Sequence, residues 1–317
     1  MRALVVGPGA EGRFAEVPEP APGPGQALVE VRHASVNFSD LRHIGRLPEG
    51  TVLGYDAAGV VLRAAEDGTG PREGARVAAF GAGAWAERAA FDTGSMAVVP
   101  EGVDLVRAAA LPMAGLTALR SLRAAGPGPG SRVLVTGASG AVGRLAVQLA
   151  GRAGAHVIAS VSRPERAARL AAGLGAPERA ARPAAGLAAP ADIVVGLDGV
   201  EPVDVAIETV GGPALVAAWA LLKPGGNLQS VGWACGQPAV FPPNSTFSLG
   251  PARSLNSFGD VTAPADDLAH LLALVAAGEL SVDIGLNSSW EDLEDVKAAQ
   301  LGGSLTGKIV LTVGRTL

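Results

Sequence analysis

The chain contains very few of the residues on which several classes of protein depend. Its 317 residues include a single cysteine, Cys235, which excludes an intramolecular disulfide framework and a four-cysteine zinc lobe. Aromatic residues account for 4% of the chain and charged residues for 17%. The net charge of −5 argues against nucleic-acid binding as the primary role, so we expect no nucleic-acid partner.

Long apolar runs are also missing. The longest strongly apolar run, residues 108–119, is interrupted by Pro112, whereas a membrane span needs about 20 apolar residues. The apolar stretch near the N-terminus, residues 3–6, is too short to be the core of a secretory signal. We therefore expect a cytoplasmic protein with no membrane partner.

What the chain does contain predicts two domains of different construction. Hydrophobic residues make up 48% of it, and its length suits two cores better than one. Residues 1–110 contain short strand patterns separated by glycine or aspartate, which are typical of a small barrel or sandwich. From Pro112 onward strands and helices alternate, which indicates a parallel sheet covered by helices. Residues 176–202 are rich in alanine and proline, and no adenine contacts can be assigned in them.

A glycine-rich turn lies between a predicted strand at residues 132–136 and a predicted helix that starts at Gly140. Glycines at three-residue spacing let the backbone approach a pyrophosphate, and a helix N-terminus supplies amide groups and a positive dipole. This context predicts dinucleotide binding, the alternative being a turn that only packs the helix tightly on the sheet. The residues expected to bind the cofactor here are Gly137, Ser139, Gly140, Ala141, Val142 and Gly143.

The end of the next strand indicates which dinucleotide binds. NAD-binding loops place an acidic residue there for the ribose 2′-hydroxyl, but no acid precedes Glu165 in this chain. Ser162, Arg163 and Arg166 cluster there instead. Arginines at the start of a helix oppose the helix dipole, and a bound 2′-phosphate would reverse that penalty. We predict NADPH, with solvated surface arginines as the alternative.

The chain as a whole resembles the medium-chain dehydrogenase/reductase superfamily, and most closely its zinc-independent quinone oxidoreductase branch. The resemblance covers nearly the full length. It rests on the glycine turn and on further segments in a fixed order, which are residues 34–40, 54–61, 109–118, 208–212, 223–226 and 307–311.

This resemblance implies an α/β protein in which a GroES-like β-barrel catalytic domain is joined to a Rossmann domain with a doubly wound parallel sheet. We expect the catalytic domain at residues 1–114, completed by 254–317, and the cofactor domain at 115–253. Relatives usually form homodimers through the edge of the Rossmann sheet. Residues 253–258 are the expected edge strand.

The resemblance also brings a set of polar residues toward the nicotinamide. Asn37 is a candidate hydrogen-bond donor to the cofactor ribose or the substrate oxygen, or else a turn residue. Asp40 is a further candidate, and it could equally cap the short helix that follows. Tyr55, the only tyrosine, could donate to a developing enolate or simply pack. Arg42 stands where many relatives have a tyrosine, and it could hold an anionic or carbonyl group of the substrate or cap a neighbouring loop. His43, which follows it, could relay a proton or be a surface residue.

On the cofactor side the resemblance points to residues in the turns that follow strand ends. Trp233 among them could wall the substrate site or belong to the core. These candidates are Thr117, Thr209, Val210, Gly211, Val231, Gly232, Trp233 and Lys308.

No metal is expected. The histidine motif of the zinc enzymes corresponds to residues 54–56 here, and their first ligand cysteine falls in segment 34–40, which has none. Cys235 and four scattered histidines cannot supply three or four soft ligands.

Together these features predict a zinc-independent, NADPH-dependent oxidoreductase that transfers hydride to a quinone or to an activated C=C bond of an enone or enoyl compound. Two alternatives stay open. One is a zinc-free carbonyl reductase or alcohol dehydrogenase, and the other is an NADPH-binding protein with vestigial activity.

Overall fold

The computed structural model describes residues 1–175, 191–247, 249–302 and 305–314. In these residues the strands are β1 (Arg2–Val6), β2 (Gly12–Glu16), β3 (Gln26–Val36), β4 (Asp56–Arg63), β5 (Arg76–Phe80), β6 (Arg88–Asp92), β7 (Met96–Val98), β8 (Arg132–Val135), β9 (His156–Val161), β10 (Asp192–Val195), β11 (Val203–Glu208), β12 (Leu222–Ser230), β13 (Ser254–Ser257), β14 (Ile284–Ser289) and β15 (Lys308–Thr312). The α-helices are α1 (Phe38–Arg42), α2 (Leu105–Ala109), α3 (Pro112–Ala125), α4 (Ala141–Arg152), α5 (Pro164–Gly175), α6 (Gly212–Ala220), α7 (Ala265–Ala276) and α8 (Leu293–Leu301).

The described residues form two compact units. Unit 1 comprises residues 1–116, 261–277 and 282–317, and unit 2 comprises 117–260 and 278–281. Because β13 pairs with β12, the parallel sheet of unit 2 extends past residue 253, where we expected the cofactor domain to end. Most of segment 176–202, for which we assigned no adenine contacts, lies outside the described residues.

Unit 1 is built on a mainly antiparallel sheet with the order β14-β15-β3-β4-β5-β7, and β6 also pairs with β3. The long strand β3 alternates buried and half-buried side chains along most of its length, as a strand with one face on a core does. It pairs with three strands, which are β4, β6 and β15. Trp85, Phe91 and Trp290 are the largest fully buried side chains of the core around it.

Unit 2 contains a six-stranded, wholly parallel sheet with the order β10-β9-β8-β11-β12-β13. Numbered from β8, this order is 3-2-1-4-5-6, the arrangement of a Rossmann fold. The predicted two-domain α/β fold is thereby confirmed. Strand order reverses between β8 and β11, and such switch points are where doubly wound sheets bind ligands. Strand β13 is the edge strand, while a dimer through it stays a prediction.

In the described part of the chain no helix combines the length and apolar character needed to cross a membrane.

The packing of Trp85 against Gly54 gives a test of this core. Gly54 has a φ of 83°, and a Cβ added to it would lie 2.0 Å from Trp85 Cδ1. Trp85 is held in place by a 3.1 Å bond from its Nε1 to the Ser35 carbonyl. We expect Gly54→Ala to lower the free energy of unfolding by about 2–4 kcal/mol through strain and displacement of the ring.

Gly50→Ala is the matched control, because Gly50 has nearly the same φ, 81°, but nothing within 4 Å of the added methyl group. At Gly50 the backbone strain of a positive φ alone predicts a loss of roughly 1 kcal/mol in the free energy of unfolding. Urea unfolding of both variants measures the difference, and equal losses would contradict the packing argument.

Candidate functional site

Unit 1 contains a buried polar cluster at the end of β3. Ser35 lies in β3 opposite Asp56 of β4, and β15, which starts at Lys308, pairs with the same end of β3. Asn37 follows β3 directly, and Asp40 lies in α1. Exposure of the five residues ranges from 0% to 8%. Strand register therefore gathers charged groups from distant parts of the sequence into a region shielded from solvent.

Asp56 is the most fully bonded member of this cluster. Its Oδ2 accepts hydrogen bonds from Ser35 Oγ at 2.9 Å, Asn37 Nδ2 at 3.1 Å and Lys308 Nζ at 3.1 Å. Its Oδ1 accepts from the backbone N–H of Met113 at 3.0 Å, in the first turn of α3. These donors and the ammonium group offset the loss of hydration of a charged carboxylate. Asp56 is thus held as an anion that joins β4, β15 and α3.

Asn37 and Lys308 are both engaged within the cluster. The Asn37 Nδ2 group donates to Asp40 Oδ2 at 3.1 Å as well as to Asp56, and its Oδ1 accepts from Lys308 Nζ. A direct hydrogen bond from Asn37 to cofactor or substrate, the role we expected, would require one of these bonds to break. The ammonium of Lys308, predicted as a cofactor contact, has Asn37 and Asp56 as its partners.

Asp40 differs from Asp56 because only one of its oxygens is satisfied. Oδ2 accepts from the backbone N–H of Asn37 at 2.8 Å, which caps α1, and from Nδ2 of the same residue. Oδ1 is buried and has no hydrogen-bond partner. Burial, followed by repulsion from Asp56, raises the pKa of Asp40 to about 7. Asp40 can therefore gain or lose a proton near neutral pH.

The other predicted residues of unit 1 lie outside this network. The Tyr55 ring stacks on Phe80 with centroids 6.2 Å apart, and its hydroxyl makes no hydrogen bond to any residue that the structure describes. Arg42 is exposed and lies over the Phe38 ring at 5.5 Å. His43 is exposed at the end of α1. Slight burial and the charges of nearby arginines lower the pKa of His43. Their catalytic roles stay predictions.

In unit 2 the three glycines after β8 are required for different reasons. Gly137 has a φ of 59°, which favours glycine. A Cβ on Gly143 would lie 2.4 Å from the Gly137 carbonyl oxygen, so α4 packs directly on the turn. A Cβ on Gly140 would meet only that same oxygen, at 3.3 Å. The missing side chain of Gly140 thus leaves the start of α4 open, as a pyrophosphate needs.

The turn after β11 is tied to this loop by Glu208. Its fully buried carboxylate accepts bonds from the backbone N–H groups of Val210 and Gly211 at 2.9 Å and from Thr136 Oγ1 at 2.8 Å. Thr209 Oγ1 donates to the Thr136 carbonyl at 2.8 Å. Burial raises the pKa of Glu208. The two strand ends on either side of the switch point are thus fixed to each other.

The arginines predicted to select the cofactor lie where α5 begins. Ser162 and Arg163 are exposed beyond the end of β9, and Arg166 is half-buried in the first turn of α5. Burial, followed by the charges of Arg163 and Arg169, lowers the pKa of Arg166. Like charges so close together would be stabilised by an anion. The turn after β8 and these arginines therefore fit a phosphorylated dinucleotide.

The segment after β12 continues alongside the turn after β11. Val231 N–H donates to the Glu208 carbonyl at 2.8 Å. A Cβ on Gly232 would lie 2.7 Å from the Thr209 carbonyl oxygen, and one on Gly211 would lie 2.6 Å from the Trp233 ring. The indole of Trp233 is 44% exposed and its Nε1 donates to the Gln237 carbonyl at 2.6 Å.

Trp233 thus presents an apolar surface at the strand ends and is not core. Thr117, by contrast, is buried near the middle of α3.

Sequence reasoning missed two carboxylates that organise these clusters, Asp56 and Glu208. Asp56 begins β4 and Glu208 ends β11, and in each strand the acid adjoins a run of buried residues. An acid next to a run of buried residues indicates a satisfied internal carboxylate, because an unpaired one would be too costly. This signal was present in the sequence.

Comparison with protein-family models finds two domains in this order. Residues 23–101 match the alcohol dehydrogenase GroES-like domain, and residues 141–277 match the zinc-binding dehydrogenase model. In the described part of the chain, no group of three or more His, Cys, Asp or Glu side chains is placed to hold a metal ion.

Solved structures similar to this chain include two quinone oxidoreductases. That of Coxiella burnetii is 25% identical with a TM-score of 0.80, over 99% of both chains. That of Thermus thermophilus, also solved with NADPH, is 28% identical with a TM-score of 0.75, over 99% of this chain and 100% of the other. The chain belongs to the medium-chain dehydrogenase/reductase superfamily and is similar to its quinone oxidoreductase-like members.

Among the curated relatives are much longer polyketide synthases. The pikromycin polyketide synthase component PikAII of Streptomyces venezuelae is 32% identical over 234 residues, which are 73% of this chain. The matched region is 6% of that protein, so the chain resembles one part of it.

The raised pKa of Asp40 has a consequence for stability. Its ordinary value of 3.8 becomes about 7 in the folded protein, so between these values the folded state holds a proton that the unfolded state has released. The contribution of this carboxyl group to stability is therefore present below pH 3.8 and is lost as pH rises through 7. The change amounts to about 4 kcal/mol at most.

We expect the free energy of unfolding of Asp40→Asn, minus that of wild type, to become larger as the pH rises from 3.8 to about 7. Urea unfolding at several pH values measures this difference. Asp92→Asn, at an exposed position at the end of β6, is the control and should show no such trend. A constant offset between Asp40→Asn and wild type would show that Asp40 does not titrate in this range.

Proposed function

We propose that the protein is a zinc-independent, NADPH-dependent reductase whose substrate is a conjugated small molecule, either a quinone or an activated C=C bond. The observation that carries the proposal is the switch point of the parallel sheet. There the open start of α4 lies beside a turn fixed by Glu208, and arginines occupy the place of the acid that would select NAD. When bound, the nicotinamide supplies the hydride.

The residues that would hold the cofactor follow from this geometry. Backbone N–H groups at the start of α4 would bind the pyrophosphate, and Arg163 and Arg166 would bind the 2′-phosphate. The structure of the Thermus thermophilus relative with NADPH supports the same cofactor here.

The two acceptor classes are supported by different relatives. Similarity to quinone oxidoreductase structures supports a quinone. Similarity to one part of polyketide synthases, two of which are named as reducing, supports a reduction of a polyketide compound, for which we propose the C=C bond of an enoyl group. A conjugated acceptor spreads the charge left by hydride transfer, so it needs less polarisation than an isolated carbonyl group. That chemistry requires no metal ion.

Zinc independence is supported by the residues at the family's ligand positions. Segment 34–40 supplies Asn37 and Asp40, and both are engaged in the buried cluster with Lys308 and Asp56. Cys235 is the sole cysteine and lies in unit 2, after β12.

Cofactor selection tests the role of the arginines. We expect Arg163→Ala and Arg166→Ala each to weaken NADPH binding about 10-fold and the double variant about 100-fold, through lost contacts to phosphate. NADH binding should hardly change. Fluorescence titration of the reduced nicotinamide measures both constants.

Arg169→Ala, one turn further along α5, is the control for the general loss of positive charge and should have a smaller effect. An unchanged ratio of NADPH to NADH affinity in the double variant would refute this assignment.

Acceptor preference tests the function itself. With purified protein and NADPH, we expect oxidation of the cofactor on addition of a quinone or of an α,β-unsaturated ketone or thioester, and none with a saturated ketone. Gly140→Val, which places a side chain over the start of α4, should abolish both binding and turnover. Turnover of the saturated ketone would favour a carbonyl reductase, and binding without any turnover would favour a cofactor-binding protein.

A further inference from the structure

A buried arginine lies in the first turn of α4, directly after the glycine turn. Arg144 is 5% exposed, and arginine is rarely buried to this extent unless its guanidinium group is engaged. A positive charge at the start of a helix also opposes the helix dipole. These two costs require compensating contacts, which the structure shows.

The guanidinium group of Arg144 bridges two elements of unit 2. Side chains on a helix lean toward its N-terminus, and Nε of Arg144 donates to the Ser139 carbonyl at 3.3 Å. Nη2 donates to the Arg169 carbonyl at 3.4 Å. Because the donors of a guanidinium group are fixed relative to one another, this planar group sets the spacing between the turn after β8 and the middle of α5.

The surface of α5 has an opening that fits this group. Gly173 lies within α5, although glycine is the least favourable helix residue after proline. A Cβ at this position would lie 2.4 Å from Nη1 of Arg144. The missing side chain makes room for the guanidinium group, so the glycine in the helix and the buried arginine have a common explanation.

The bridge joins the two parts of unit 2 to which we assign phosphate binding. The peptide group that precedes α4 is fixed at both polar atoms. The Gly140 N–H donates to the Gly137 carbonyl at 2.9 Å, and the carbonyl of the same peptide accepts from Arg144. At the other end of the bridge, Arg169 lies one turn after Arg166 on α5. A bond to the Arg169 carbonyl therefore holds the helix that carries Arg166.

We propose that Arg144 is a positioning residue that fixes the arginines of α5 relative to the glycine turn and so strengthens the preference for NADPH over NADH. The inference rests on the proposed function. Hydrogen bonds from arginine to phosphate need donors about 2.7–2.9 Å away, so a shift of α5 would weaken contacts to the 2′-phosphate. The turn would keep its own bond between Gly137 and Gly140, and NADH has no 2′-phosphate to lose.

The first test compares the two cofactors by fluorescence titration. We expect Arg144→Met to lower the ratio of NADPH to NADH affinity about 10-fold, the scale of one hydrogen bond to a charged group. Arg152→Met removes an arginine from the last turn of the same helix and is the control, which should leave the ratio unchanged. An equal loss of both affinities in Arg144→Met would indicate a merely structural role and would overturn the proposal.

Gly173→Ala displaces the guanidinium group while Arg144 itself is kept. We expect the affinity ratio to fall in the same direction as in Arg144→Met. Alanine favours a helix more than glycine does, so the fall could not be attributed to a weakened α5. If Arg144→Met does not fold, this variant decides alone, and an unchanged ratio would overturn the proposal.

A double-mutant cycle tests whether Arg144 acts through the arginines at the start of α5. In the Arg163→Ala/Arg166→Ala background, we expect Arg144→Met to have no further effect on the affinity ratio, because the groups that it positions are gone. The same 10-fold fall in both backgrounds would show that Arg144 acts independently of them, which would overturn the proposal.

Hydrogen exchange of the cofactor-free protein tests the bridge without any ligand. We expect Arg144→Met to speed exchange of the α5 amides roughly 5-fold, through one lost contact, and to leave the α7 amides of unit 1 unchanged. Unchanged exchange in α5 would refute the bridge. Failure of the wild type to bind either cofactor would refute the proposed function, whereas NADPH preference that Arg144→Met leaves intact would refute only the role of Arg144.

Discussion

The contact between Asp56 and Lys308 is the constraint around which unit 1 is organised. Two charges lie 3.1 Å apart with almost no exposure to solvent, and removing each from water costs several kcal/mol or more. The pair persists because Ser35, Asn37 and the first turn of α3 supply the hydrogen bonds that water would have made. Those same bonds fix the ends of three strands, so the requirement to solvate a buried charge also shapes the site.

Unit 2 meets the same requirement without a cation. Glu208 is fully buried and is surrounded by backbone N–H groups and the hydroxyl of Thr136. Main-chain amides cannot move independently as a side chain can. A carboxylate held by them therefore fixes the path of the backbone itself, here the turn after β11 and its neighbour after β8. Asp56 thus positions side chains, whereas Glu208 positions a loop.

The sequence predicts local features of this protein better than contacts between distant residues. The turn from β8 to α4 and the strand β9 follow from apolar runs and glycine spacing, and they are found as predicted. Strand β14 was missed because its sequence is mostly polar or small and shows no alternation. It forms by pairing with β15. Tertiary pairing of this kind overrides local propensity.

In the candidate site, too, local contacts follow from the sequence and contacts between distant residues do not. Asp40 and Asn37 are close in sequence and their link is a local cap. The bond from Lys308 to Asn37 joins residues 271 apart, and no spacing rule predicts a contact over that distance. The sequence does allow the inference that the acids at the ends of β4 and β11 need partners. It does not identify the partner residues.

The separation of Asp56 from Lys308, 252 residues, bears on how the chain reaches this structure during synthesis. The parallel sheet of unit 2 draws its strands from residues 132–257, so all of them have left the ribosome before Lys308 is made. The sheet of unit 1 must wait with Asp56 hydrated until its counter-ion arrives. Translation order therefore favours a nascent chain in which the parallel sheet of unit 2 assembles first and the sheet of unit 1 is completed last.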